Sequence, residues 1–226
     1  MNIANLNKSE IVKLANTKCR HYKSLLEHPK CNRKENTQRI GYLDIECTEL
    51  NPAYGFITTY CILDDKTKKI YHYSLSKKDI EKYGKKGTTM SYDDTGLLKQ
   101  LVIDMRRFDK LILHFGCYFD VSYIRTRAII CGVKHPIFGE IYYADTWKIL
   151  RSKFSALKSK SLENSLFALT GKTSKTKLNQ RLKNGCIRGE KKSLDITLDH
   201  CMRDVRDTKK LYDIINPYIK PTNSTY

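Results

Sequence analysis

The spacing of hydrophobic and polar residues changes several times along the chain, and each change predicts an element. Five short runs rich in β-branched and aromatic residues indicate strands: IGYLDIEC, FITTYCILDD, KKIYHYSL, KLILHF and EIYYADTW. The second and third of these runs are separated by a turn at residues 64–67, which predicts an antiparallel hairpin. Apolar residues three or four apart predict helices over residues 92–108, 120–132 and 194–215. Five strands and three or four helices predict an α/β fold with a mixed sheet.

The chain divides into a short lead and a longer domain. Residues 7–30 are polar with helical spacing, and residues 31–39 indicate a linker. We therefore expect an N-terminal extension over residues 1–39 and one folded domain over residues 40–220. The start of the chain lacks the apolar stretch of a signal peptide, and no apolar run approaches the length of a membrane helix. These features favour a cytoplasmic protein that does not associate with a membrane.

The charge is strongly positive and unevenly placed. The 42 Lys and Arg residues outnumber the 24 Asp and Glu residues, for a net charge of +18. Residues 1–39 hold nine basic side chains against three acidic ones, and residues 148–192 hold thirteen against two. Two local excesses of this kind predict a polyanionic partner such as nucleic acid. The alternative is a lysine-rich surface that is merely solvated.

Acidic side chains recur at positions that suit metal binding. Asp44 and Glu46 lie two apart in the first strand, so both point to one face, and a divalent cation would relieve their repulsion. Asp120 follows the fourth strand, at the end of the sheet where α/β proteins bind ligands, although a helix cap is the alternative. His200 and Asp204 share one face of the last helix, where a solvent-facing charged stripe is the alternative.

A second group of metal-binding residue types lies in the N-terminal extension. The group comprises Cys19, His21, His28 and Cys31. Two Cys and two His match the ligand count of a closed tetrahedral zinc site, which would stabilise a segment with little apolar area. The spacing differs from that of a standard zinc finger, and chance clustering is the alternative. The sequence thus predicts one structural Zn²⁺ here.

Three segments, in this order, resemble the DEDD-type 3′–5′ exonucleases of the ribonuclease H-like fold. They are RIGYLDIECTEL, LILHFGCYFDVSYIRTRA and HCMRDVRDTKKLYDII. The resemblance covers about residues 40–216 and is strongest to the proofreading exonuclease module of family B DNA polymerases and its stand-alone relatives. It implies a ribonuclease H-like fold, with a mixed five-stranded sheet flanked by helices.

The resemblance also implies a reaction, the hydrolysis of phosphodiester bonds at DNA 3′ ends with two Mg²⁺ or Mn²⁺ ions. Asp44, Glu46, Asp120 and Asp204 would hold the ions, and His200 would take a proton from the attacking water. Single-stranded 3′ ends are the expected substrate, because the last nucleotide must reach a recessed carboxylate cluster. The alternatives are a ribonuclease or structure-specific endonuclease on the same fold, and a catalytically silent nucleic-acid-binding module.

Two positions depart from the pattern of that family. Phe115 stands where an Asn commonly comes five residues before the second-motif acid, so an amide contact to the substrate is missing. The third motif has His200 in the register that usually holds Tyr, which puts the activation of the attacking water in doubt.

Side chains for substrate contact are expected near the second acid and in a lysine-bearing loop. Tyr118 and Phe119 are candidates to stack on terminal bases, with core packing as the alternative. Lys172, Lys175 and Lys177 are candidates to contact phosphates.

Overall fold

Three strands precede the first helix that packs on the sheet. The computed structural model describes residues 8–17, 24, 27, 38–83, 93–172 and 178–219. The strands are β1 Ile40–Cys47, β2 Ile57–Asp64, β3 Ile70–Ser74, β4 Lys110–Leu113 and β5 Tyr142–Asp145. The helices are α1 Lys8–Asn16, α2 Lys77–Tyr83, α3 Thr95–Met105, α4 Asp120–Ile130, α5 Thr146–Lys153, α6 Leu162–Thr170, α7 Gln180–Ile187 and α8 Lys191–Ile215, followed by a 3₁₀ turn at Asn216–Tyr218.

The five strands form one mixed sheet with β1 at its centre. The strand order is β3-β2-β1-β4-β5. The β1–β2 and β2–β3 pairs are antiparallel, and the β1–β4 and β4–β5 pairs are parallel. The predicted hairpin and the α/β class are therefore confirmed. An irregularity between Glu46 and Cys47 shifts the register of β1 against β2, as a β-bulge does where a strand end is re-aimed.

Hydrophobic cores cover both faces of the sheet. Leu43 and Ile45 of β1 lie in the core shared with α3 and α4. Tyr42 lies in the core on the other face, which α5, α6 and α8 complete. Successive side chains of a strand alternate between the two faces. Asp44 and Glu46 have the parity of Tyr42 and so face α8.

Two adjacent acids at the start of α3, Asp93 and Asp94, have different hydrogen-bond partners. The sequence predicts that Asp93 or Asp94 caps this helix. Asp93 accepts a hydrogen bond from the Thr95 amide at 2.7 Å, whereas Asp94 makes no side-chain cap bond. Asp94 is fully buried and pairs with Arg127 instead, at 2.6 Å. The helix ends at Met105, three residues short of the predicted end, and its apolar residues Leu97, Leu98, Leu101, Val102 and Met105 are buried, as is Phe108 beyond its end.

Helix α8 is amphipathic along its 25 residues. Cys201, Val205 and Leu211 are fully buried against the sheet, while acidic and basic residues occupy the other side. The apolar spacing that predicts this helix thus forms the face that docks on the sheet. Within the described ranges, α8 included, we find no helix with the length and apolar character needed to cross a membrane.

Two predictions for the region around residues 140–192 need correction. The sequence predicts a basic loop region between the fifth strand and the last helix, but the described parts of residues 148–192 lie largely in α5, α6 and α7. The last predicted strand, residues 140–147, is shorter in the structure and ends at Asp145. The Asp145 carboxylate accepts a hydrogen bond from the Trp147 amide at 2.9 Å and caps α5, because a side-chain acceptor there satisfies a free amide of the first helical turn.

Candidate active site

Side chains from β1 and α8 meet at the carboxyl end of β1. His200 Nε2 lies 3.5 Å from Glu46 Oε1 and 3.5 Å from Asp204 Oδ2. One ligand atom from each of the three residues falls within 4.8 Å of the others, which is close enough for a single ion to contact all three. All three side chains are partly buried. The fold thus joins the first and third motif segments, which are more than 150 residues apart in the sequence.

Asp120 is attached directly to the same strand. It is the first residue of α4 and only 6% exposed, and its Oδ1 accepts a hydrogen bond from the Ile45 amide at 3.1 Å. Ile45 stands between Asp44 and Glu46, so this bond fixes the second-motif carboxylate beside both. Asp120 is not the cap of α4, because Phe119 holds the cap position and the Asp120 carboxylate accepts its hydrogen bond from β1.

Asp44 has an oxygen with no hydrogen-bond donor. Its Oδ2 is buried and has no partner among the described residues. A buried carboxylate oxygen without a donor is costly, and a cation is the usual compensation. The backbone carbonyl of Asp44 accepts a weak bond from Cys201 Sγ at 3.4 Å, which joins β1 to α8 at this point.

The four carboxylates repel one another in a partly desolvated site. Burial, followed by the charges of Asp120, Glu46 and Asp204, raises the pKa of Asp44 well above its usual range. Burial and the neighbouring acids raise the pKa of Glu46 to about 8, and burial is the main cause that raises that of Asp120 to about 7. Burial also raises the pKa of Asp204, which His200 partly offsets. Oxygen-rich, mutually repelling sites of this kind fit a hard divalent cation.

Asp145 has a positioning role that the sequence did not reveal. Its buried carboxylate accepts hydrogen bonds from the amides of Phe115, Cys117 and Trp147, each at 2.9 Å. These bonds tie the loop between β4 and α4 to the start of α5. The loop leads into Asp120, so Asp145 positions the second-motif acid indirectly, by fixing the loop that precedes it. Its place near the carboxyl end of a predicted strand was the available signal.

Gly116 allows this loop to approach Asp120. A Cβ atom built at Gly116 would lie 2.9 Å from Asp120 Oδ2 and 2.5 Å from Leu113 Cβ. We expect Gly116→Ala to displace the loop and with it the Asp120 carboxylate, because a contact with a neighbouring Cβ cannot relax by rotamer change. The metal-dependent cleavage that the family resemblance implies should then fall by about 10- to 100-fold, the loss typical when the geometry of a metal site is disturbed. Steady-state cleavage rates would measure this.

Gly96 provides the matched control for that substitution. A Cβ atom at Gly96 would meet no atom within 4 Å among the residues that the structure describes, and its position within α3 favours alanine. Gly96→Ala should leave the cleavage rate unchanged. Equal rates for the two alanine variants would contradict the role given to Gly116.

The residues predicted for substrate contact are placed differently from one another. Tyr118 is 53% exposed, beside the start of α4. Phe119 packs against the core, with its ring centroid 5.5 Å from that of Tyr123, so packing is its observed contact. Lys172 is exposed just after α6. Six further predicted residues lie outside the described ranges: Lys175 and Lys177, and the zinc candidates Cys19, His21, His28 and Cys31.

Comparison with known proteins identifies the fold and the superfamily. A family model described as the RNase H superfamily matches residues 41–216. The solved structure of the family B DNA polymerase from the hyperthermophilic archaeon Pyrobaculum calidifontis is similar, with a TM-score of 0.59 and 14% sequence identity over 80% of this chain. The matched part is 25% of the polymerase chain, so the present chain spans about a quarter of that length. No curated protein matches the chain.

Proposed function

Because the chain belongs to the RNase H superfamily, we propose that it is a metal-dependent 3′–5′ exonuclease that hydrolyses phosphodiester bonds at DNA 3′ ends with two Mg²⁺ or Mn²⁺ ions. The observation that carries the proposal is the convergence of acids from three separate segments on one end of β1. Glu46 and Asp204 each lie 3.5 Å from His200 Nε2, and Asp120 is hydrogen-bonded to Ile45, the strand residue beside Glu46.

The residues present suit a site for divalent ions. Asp44, Glu46, Asp120 and Asp204 would hold the ions through carboxylate oxygens, and the Oδ2 of Asp44, which has no partner among the described residues, would gain a counter-charge. Divalent ions bound here would lower the pKa of a water molecule and stabilise the leaving oxygen. His200 Nε2 lies 3.5 Å from both Glu46 and Asp204, and it would accept the proton that the attacking water loses.

Basic residues next to the site support a nucleic-acid substrate. Helix α5 begins directly after Asp145 and carries Lys148, Arg151 and Lys153. Cationic side chains that neutralise phosphates release counterions and so favour binding of a strand. We propose that this helix and the basic extension over residues 1–39 contact the backbone of a strand whose 3′ end enters the acidic site. The structural Zn²⁺ predicted for the extension would be tested by metal analysis of the purified protein.

A single assay tests the proposed reaction. The protein is incubated with 5′-labelled single-stranded and duplex DNA and with RNA of the same sequence, in Mg²⁺, in Mn²⁺ or in EDTA. We expect a ladder of products shortened from the 3′ end of single-stranded DNA, with either metal and not with EDTA. A 3′-blocked oligonucleotide serves as the control and should resist cleavage.

Each contrary result would indicate a different activity for this protein. Internal cleavage of the blocked strand would contradict exonuclease action and indicate an endonuclease. Cleavage confined to RNA would indicate a ribonuclease. Binding without cleavage in every condition would contradict the enzyme assignment altogether.

A further inference from the structure

Three aromatic side chains form a partly exposed cluster beside the acidic site. The ring centroid of Phe115 lies 5.4 Å from that of Tyr118 and 5.1 Å from that of Trp147, and the Tyr118 and Trp147 centroids are 5.8 Å apart. Phe115 is 44% exposed and Tyr118 is 53% exposed. Aromatic surface of this size is usually buried, because its removal from water lowers the free energy. We call this cluster the aromatic platform. It presents apolar ring surface that the described core does not use.

The backbone at Phe115 is in a conformation that such a residue seldom adopts. Its φ is 60°, in the left-handed region that favours glycine, and a bulky side chain there is an outlier. The bond from the Phe115 amide to Asp145 helps to hold this conformation. Strain of this kind persists where the surroundings over-determine it, and it concentrates at ligand sites. The strain therefore favours a functional reason for a phenylalanine at this position.

Positive charges lie over two of the rings. Lys148 Nζ is 4.5 Å from the Tyr118 ring centroid, and Arg151 Cζ is 5.4 Å from that of Trp147. Exposed aromatic rings combined with cations that reach phosphates are the combination that single-stranded nucleic-acid binders use. Double-stranded nucleic acid has no free base faces to offer such rings, because its bases are already stacked on each other.

The platform adjoins the proposed reaction centre. Gly116 follows Phe115, and a Cβ atom at Gly116 would lie 2.9 Å from Asp120 Oδ2. Tyr118 is two residues from Asp120, and Trp147 is two residues from Asp145 in the sequence. A strand whose terminal phosphodiester reaches the carboxylates would therefore pass its preceding nucleotides close to the rings.

We infer that the aromatic platform stacks on the bases of the nucleotides that precede the 3′-terminal one, so that the substrate must have an unpaired 3′ end of several nucleotides. The inference rests on the proposed function, because it takes a nucleic-acid strand as the substrate. Stacking tolerates every base, so the platform selects for single-strandedness and not for sequence.

Binding measured without added divalent metal tests the platform apart from catalysis. A labelled oligothymidylate is compared by fluorescence anisotropy with the same oligonucleotide made abasic at the two nucleotides before its 3′ end. Loss of one stacked base costs roughly 5- to 150-fold in affinity, so the unmodified protein should bind the abasic strand at least about fivefold more weakly. Tyr118→Ala should bind the intact strand more weakly and lose much of that discrimination, whereas Tyr118→Phe should retain both.

Two further variants separate stacking from folding. Phe115→Asn keeps a residue that tolerates the left-handed backbone, and it should weaken binding of the intact strand without lowering the unfolding temperature. Tyr218 is 74% exposed in the 3₁₀ turn that follows α8, outside the aromatic platform. Tyr218→Ala is therefore the matched control and should bind both strands like the unmodified protein.

The outcomes distinguish the platform from the enzyme. Equal affinity of the unmodified protein for the two strands, binding of neither, or undiminished discrimination in both Tyr118→Ala and Phe115→Asn would overturn the platform. Absence of cleavage together with base-dependent binding would overturn the proposed exonuclease and leave the platform standing.

Discussion

Replacing Asp44 with asparagine is expected to reduce metal-dependent cleavage by about 10³-fold or more while the protein stays folded. Asp44 lies on the central strand, close enough to the other three acids for their charges to act on it, and its buried Oδ2 has no donor among the described residues. Asparagine keeps the shape but removes the charge that would hold a divalent ion, and an ion-dependent reaction loses its Lewis acid with it. The rate of product release from end-labelled single-stranded DNA in Mn²⁺ measures the loss.

The same variant makes a second prediction that does not depend on activity. Because the four carboxylates repel one another, loss of one charge should leave the metal-free protein at least as stable as the unmodified one. Added Mn²⁺ should then raise the unfolding temperature of the unmodified protein and have much less effect on the variant, since ligands that bind only the folded state stabilise it.

Asp199 provides the control for this substitution. It is exposed on α8, next to His200 in sequence, and it pairs with Arg203 instead of joining the cluster. Asp199→Asn should retain both the cleavage rate and the response to Mn²⁺. Near-normal cleavage by Asp44→Asn would remove Asp44 from the proposed reaction.

The sequence predicted those parts of the site that depend on local rules. The period of two in β1 puts Asp44 and Glu46 on one face, and the helical spacing of four puts His200 and Asp204 on another. The place of Asp120 directly after the fourth strand, at the ligand-binding end of an α/β sheet, marked it as a candidate. Each of these predictions needs only the geometry of one element and the topology of the sheet.

The roles that escaped prediction belong to buried acids whose partners are distant in sequence. Asp145 binds amides 28 and 30 residues away, and Asp94 pairs with Arg127, 33 residues away. Locally, Asp94 is a good cap for α3, and only the packing of α4 against α3 brings a guanidinium to it. Likewise, the charged sequence of residues 148–192 has the pattern of a loop region. The three helices found there are short, and each buries few apolar residues.

The Asp94–Arg127 pair should dominate the stability of the half of the fold that carries α3 and α4. Arg127 donates to both oxygens of Asp94 and, through Nη1, to the Pro52 carbonyl at 3.1 Å. Asp94 also accepts the Ile57 amide at 2.9 Å, at the start of β2. The pair therefore joins the helices to the loop between β1 and β2.

Arg127→Met is expected to lower the free energy of unfolding by about 3–5 kcal/mol, because it leaves a fully buried carboxylate without its counter-charge. Urea denaturation of the two proteins measures the difference. In the double variant Asp94→Leu/Arg127→Met the loss should be smaller than the sum of the single losses, since neither charge then remains unpaired. This coupling distinguishes a missing counter-charge from a simple loss of packing.

Arg106 provides the control, because it forms the same kind of arginine–carboxylate pair at a more exposed position. It makes a 2.6 Å ion pair with Glu140, but both side chains are about a third exposed. Arg106→Met should therefore cost only about 0–1 kcal/mol. If Arg127→Met costs no more than Arg106→Met, then the buried carboxylate finds other compensation, and the pair is not what joins α3, α4 and β2.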